Sequence, residues 1–175
     1  MSTLKIALGV VSLGLVAAGA FAAEGPGLGK PISPADLAPW DISIMPDGTG
    51  LPAGSGTAKQ GEPIFQAKCS ACHGDKGTGG IAAAVTAGPP RASLDGGKTI
   101  ANFWPYATTV FDFIRRAMPY NAPKSLSDQE VYALTAYLLS LNKLIGENDT
   151  INAQTLPKVK MPNKDNFIIR FPERI

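Results

Sequence analysis

One histidine and two cysteines are all that the 175-residue chain offers of thiol and imidazole, and the three sit within five residues of one another. Charge is scarce as well: Asp, Glu, Lys and Arg make up 17% of the residues against the usual quarter. The balance of 16 basic to 14 acidic residues leaves a formal charge of only +2. A protein that grips nucleic acid needs a basic face, and this balance argues against one. Long apolar runs are missing beyond the first residues, and no internal repeat is visible. What the chain does have is 45% hydrophobic residues, enough for one packed domain, and 19 Gly with 15 Pro, which predict long stretches without regular structure.

The one apolar run is short and terminal. Lys5 is followed by the uncharged stretch 6–18 and then by Ala20-Phe21-Ala22, which has small residues at the spacing a signal peptidase reads. That order of basic, apolar and small residues is an export signal, and the run is too short to span a bilayer comfortably. Residues 1–22 are therefore expected to be cleaved, leaving an exported chain without a membrane span. Residues 23–56 are punctuated by Gly and Pro and read as an irregular arm, in which Trp40, Ile42 and Ile44 alternate as in a short extended piece. Thr57 with Gln60 is a capping box that predicts a first helix from about Ala58, although Pro63 would kink it or delay its start. A glycine-rich loop follows from Gly74 to Gly97. Pro105 suits the first position of a second helix, with Val110, Phe113, Ile114 and Ala117 on one face and Pro119 at its end. Ser127 with Glu130 caps a third helix, whose apolar stripe is Val131, Leu134, Leu138 and Leu141. From 145 to 175 the chain is polar and Pro-punctuated again.

Cys69-Ser70-Ala71-Cys72-His73 is the C-x-x-C-H pattern of covalent haem attachment. Thiols three residues apart on one side of a helix end can each add to a haem vinyl group, and the next residue then turns its imidazole to the iron. A thioredoxin-like redox motif would need a βαβ unit, which the pattern of elements lacks. A structural zinc site needs four ligands, and there is no second Cys or His pair. A plain disulfide would leave His73 unexplained. With His73 on one axial position, the candidates for the other are Met118, Met161 and Met45, each followed by proline. Met118 lies between the second and third helices, 45 residues beyond His73, and is the preferred ligand; Met45 lies before the first helix and Met161 in the far tail. His/Met ligation raises the reduction potential.

The run Gly61–Gly74 (GEPIFQAKCSACHG), the pair Gly88-Pro89, Met118-Pro119 and the last helix with Tyr137 resemble class I cytochrome c. The resemblance implies an all-α fold in which the first and last helices cross at Gly61, Phe65 and Tyr137. It implies that the Pro89 carbonyl accepts the hydrogen bond of the ligand imidazole, and that Arg91, Trp104 and Tyr106 are candidate partners of the haem propionates. For Trp104 and Tyr106 ordinary core packing is an equal alternative, and Arg91 could simply be solvated. A narrower resemblance, carried by WDISIMPDGTGLPAGSG, FWPYATTVFDFIRRAMPYNAPKSLSDQEVYALTAYLLSLN and TLPKVKMPN, covers residues 28 to 163. These segments are similar to the cytochrome subunit of the Sox-type sulfane (sulfite) dehydrogenase, a family that pairs a cytochrome c with a molybdenum-cofactor subunit in the oxidation of inorganic sulfur. Fuller members carry a second haem domain, whereas this chain has a single C-x-x-C-H.

Together these readings predict a small all-α cytochrome c domain over 57–144, with an irregular arm at 23–56 and a C-terminal extension at 145–175. One haem c would be bound covalently by Cys69 and Cys72 and ligated by His73 and Met118. The expected role is periplasmic single-electron transfer, from a molybdenum-cofactor dehydrogenase subunit to a downstream cytochrome c or oxidase, without catalysis by the chain itself. Two alternatives remain: a free-standing electron shuttle or subunit of another dehydrogenase, and a haem enzyme or sensor with a labile ligand.

Overall fold

A computed structural model describes residues 28–86 and 97–171. The expected export signal at 1–22 lies outside the described residues, as do Gly88, Pro89 and Arg91. Among the described residues no helix is long and apolar enough to cross a membrane.

The fold is helical, with one small antiparallel ribbon. The N-terminal arm opens with a single turn, α1 (Pro34–Leu37), closed by a capping box between Ser33 and Asp36. Residues 41–45 then run extended without a strand partner. Ile42 and Ile44 are half-buried while Asp41, Ser43 and Met45 face outward, so the expected alternation exists without a sheet. Trp40 sits in the preceding turn with 74% of its surface exposed. Gly50 then turns the arm: its φ of 87° favours glycine, and a Cβ there would overlap the carbonyl of Ser43.

Strand β1 (Ser55–Thr57) pairs with β2 (Thr150–Asn152), Gly56 opposite Ile151, and so ties the arm to the C-terminal extension. Helix α2 (Ala58–Lys68) starts at the expected cap: the Thr57 N–H donates to Gln60 Oε1 at 2.9 Å and the Gln60 N–H to Thr57 Oγ1 at 3.4 Å. Pro63 lies inside α2 without breaking it. The bond it removes is to the carbonyl of Lys59, and both residues are exposed, so water can take the proline's place.

One turn, α3 (Ser70–His73), follows, and then a short helix absent from the sequence reading, α4 (Ile100–Phe103), in which the Asn102 side chain accepts from the Thr99 N–H at 2.7 Å. Helix α5 (Ala107–Ala117) begins two residues after Pro105, with extended Tyr106 as its cap, and ends at Met118, which is extended as a residue before proline should be. Its core face is Val110, Phe111 and Ile114. Phe113, expected on that face, is instead 45% exposed. Helix α6 (Asp128–Leu141) is capped by Ser127 and Glu130 as expected. It is buried on every side from Val131 to Leu139, because α2, α5 and both strands surround it.

The core is the crossing of α2 and α6. Gly61 lets the two backbones touch, since a Cβ there would collide with Ala133 and would lie 2.8 Å from the Tyr137 Cβ. Phe65 then meets Tyr137 with ring centroids 5.4 Å apart. Beyond Leu144 the chain keeps contributing to this core: Ile151, Leu156 and Met161 are buried in it, each apolar burial of this kind contributing about 1.5–3 kcal/mol. The Asn163 amide donates to the Phe103 carbonyl at 2.7 Å, fastening the extension to α4. Past that point Phe167, Ile168, Ile169 and Phe171 are exposed.

Candidate functional site

Helix α2 ends by delivering Cys69, whose N–H still donates to the Phe65 carbonyl at 2.8 Å. The single turn of α3 then closes with the His73 N–H on the Cys69 carbonyl at 3.0 Å, which puts both cysteines and the histidine around one helix end. Gly74, with φ 78°, stops the helix, and its missing side chain leaves room for the Gly79 carbonyl. The loop folds back on the motif: Gly79 N–H donates to the His73 carbonyl at 2.8 Å and Ala82 N–H to the Cys72 carbonyl at 2.9 Å.

That return places the Ala83 carbonyl 2.9 Å from His73 Nδ1. A carbonyl can only accept, so Nδ1 carries the proton and Nε2 is left as the basic nitrogen. This is the orienting contact expected of a metal-ligating histidine. Pro89, expected to supply it, lies outside the described residues; the acceptor among those described is Ala83.

The motif opens on a cavity of about 910 Å³, near the upper end of ordinary ligand pockets. Cys69, Cys72 and His73 line it, and so does Met118 from the end of α5. Its walls are mostly apolar, including Phe65, Val85, Ile100, Leu134 and Leu138. Neither Met161 nor Met45 lines it: Met161 is buried in the core, and Met45 is exposed at the end of the extended stretch of the arm. Trp104 lines the cavity and meets the edge of Phe113 at 5.6 Å. Tyr106 does not line it and lies under Lys164, 5.7 Å from the ring centroid. Arg91 lies outside the described residues.

Several lining residues escaped the sequence reading. Lys98 and Thr99 bring polar groups to the cavity, and Ile81 to Val85 line it as one loop segment. The signal for that segment was its composition, IAAAV, an apolar run inside a glycine-rich loop.

Burial pushes the Cys69 thiol up, with Lys68 opposing. A disulfide-exchange cysteine shows the reverse, a lowered value in an electropositive setting. Among the described residues no group of three or more His, Cys, Asp and Glu side chains could hold a metal ion, so the zinc reading finds no ligand set there. Two thiols, one oriented imidazole nitrogen and one thioether around an apolar space instead suit a flat, iron-bearing macrocycle, with thiols for attachment and nitrogen and sulfur as axial ligands.

The family model of cytochrome c oxidase, cbb3-type, subunit III matches residues 56–138. A thiosulfate dehydrogenase of Psychrobacter arcticus is 31% identical over 119 residues, covering 62% of this chain and 36% of that protein. The chain thus spans about a third of the length of this curated relative. Among solved structures, a chain in the crystal structure of the sulfane dehydrogenase SoxCD from Paracoccus pantotrophus is 32% identical with a TM-score of 0.76, covering 85% of this chain and 74% of that one.

Proposed function

The chain belongs to the cytochrome c family, and on that premise we propose that it is a periplasmic monohaem electron carrier serving a sulfur-oxidising dehydrogenase. The observation that carries the reading is the convergence of Cys69, Cys72, His73 and Met118 on one cavity. Bound there, haem supplies a one-electron redox centre. Cys69 and Cys72 hold it through thioether bonds. The Ala83 carbonyl holds the His73 ring and its tautomer, so that Nε2 would be available to the iron. Met118, at the end of α5, lines the same cavity and would offer its thioether as the second protein ligand, which would leave electron transfer rather than substrate binding as the role of the metal. The apolar walls exclude water and favour the less charged, reduced state. The chain by itself then performs no catalysis.

The similarity to a thiosulfate dehydrogenase and to a chain of the sulfane dehydrogenase SoxCD supports a sulfur-oxidising partner. The proposed donor is a molybdenum-cofactor dehydrogenase subunit, and the acceptor a second cytochrome c or an oxidase. The exposed Leu28, Ile32 and Trp40 of the arm and Phe167 to Phe171 of the extension favour a docked subunit over a free shuttle, since a shuttle has no use for apolar ends. Protein purified from its native periplasm should carry molybdenum in fixed ratio to haem, and Ile168→Asp should release the partner while leaving the haem spectrum unchanged. Haem-containing protein that runs as a bare monomer without molybdenum contradicts the subunit reading.

A further inference from the structure

With Met118 read as the axial ligand, the remaining question is what keeps its loop closed. We propose that residues 40–46 form a strap that positions Met118, with Trp40 as its tip. Two contacts lay the strap along α5 and a third carries it beyond the helix end. Thr108 Oγ1 donates to the Pro46 carbonyl at 3.5 Å, Arg116 Nη2 donates to Ser43 Oγ at 3.4 Å, and the Lys124 ammonium lies 5.2 Å from the centre of the Trp40 ring. Asp112 holds Arg116 in place through Nε at 2.8 Å. Thr108, Asp112 and Arg116 follow one another at four-residue intervals and therefore share one face of the helix. As the strap's numbering falls, the helix's rises, so the two run antiparallel, and the last contact reaches past the helix end into the loop that begins at Met118.

Besides the strap, that loop is held at its two ends, where Met118 and Leu126 pack against the core. Residues 120–125 are all exposed, and its internal backbone bonds are Ala122 N–H to the Pro119 carbonyl at 2.9 Å and Ser125 N–H to the Ala122 carbonyl at 3.3 Å. Lys124 sits at φ 63°, a left-handed conformation that lysine disfavours. Arg115 clamps the base of the loop to α6 through Asp128 at 3.1 Å, leaving its outer side to the strap. Segments with few buried contacts open first, and movement of this loop would carry Met118 with it. The strap is itself anchored: Ile44 packs on the core, and Gly50 abuts the Ser43 carbonyl. Consecutive arginines in the last turn of α5, just before the ligand loop, thus reach two different elements, Arg115 to α6 and Arg116 to the strap.

The test uses ferric holoprotein and imidazole as an exogenous ligand, whose binding rate at saturation reports Met118 release. Trp40→Ala and Lys124→Gln should each raise that limiting rate by about two- to fivefold, the factor an exposed cation–ring contact is worth. The double variant should rise no further than either single one, and Trp40→Phe, which keeps a ring, should stay near wild type. Limiting rates equal to wild type in Trp40→Ala, additive effects in the double variant, or a rise that Trp40→Phe shares in full would each overturn the strap. Wild-type ferric protein without a sulfur-to-iron band would overturn the ligand reading and the strap with it. A normal band with unchanged rates overturns the strap alone.

Discussion

Gly61 of α2 lies against Ala133 of α6 so closely that a Cβ at Gly61 would overlap the Ala133 carbonyl. Two opposite effects then compete in Gly61→Ala. In an open helix the change would stabilise by about 0.5–1 kcal/mol through chain entropy. At this crossing overpacking should win, costing about 1–3 kcal/mol and disturbing the Phe65–Tyr137 ring contact. Denaturant unfolding of the holoprotein decides by the sign alone.

Leu156 in the C-terminal extension is fully buried within the core. Leu156→Ala should therefore destabilise the protein by about 2–5 kcal/mol, as a core leucine does. A loss below about 0.5 kcal/mol would mean that the extension folds apart from the domain.

Lys68 and Glu130 join α2 to α6 at 2.7 Å near the surface. The hydrogen bond from Lys68, then those from Ser127, hold the Glu130 carboxyl below its ordinary value of 4.5. A depressed folded value means that the unfolded chain takes up the proton first. The stabilisation is therefore present above pH 4.5 and is lost as pH falls through the lower folded value. A Lys68→Met/Glu130→Gln double-mutant cycle should give a coupling of about 0.2–1 kcal/mol at neutral pH, because the pair is partly exposed, and none in strong acid. A coupling that persists there would contradict the charge-based account.

The helices were legible where the signal was local. Thr57 with Gln60 and Ser127 with Glu130 cap within four residues, and Pro119 stops α5 by its own ring geometry. Local reading erred where packing decides the outcome. Phe113 obeys the same periodicity as Val110 but is turned to the cavity, while Phe111 takes the core position. The pairing of β1 with β2, and the burial of Leu156 and Met161, join segments distant in sequence, and no local pattern announces them. At the site, the C-x-x-C-H motif is self-contained and was readable at once. The Ala83 acceptor was not, because a backbone carbonyl can come from any residue and only the fold of the loop selects it.

Covalent attachment has its own test. In a strain able to mature exported cytochromes, wild-type protein should keep its haem stain on a denaturing gel, and Cys69→Ser/Cys72→Ser should lose it. The single variants retain one thiol each and should show weakened staining. A stain that survives in the double variant contradicts attachment through these thiols.

His73 and Met118 are expected to ligate the iron together. The near-infrared sulfur-to-iron band of the ferric protein tests it most directly, measured in wild type, Met118→Ala and Met161→Ala. Wild type and Met161→Ala should show the band and Met118→Ala should lack it, with a lowered potential in the last. Loss of the band in Met161→Ala with its survival in Met118→Ala would contradict ligation by Met118.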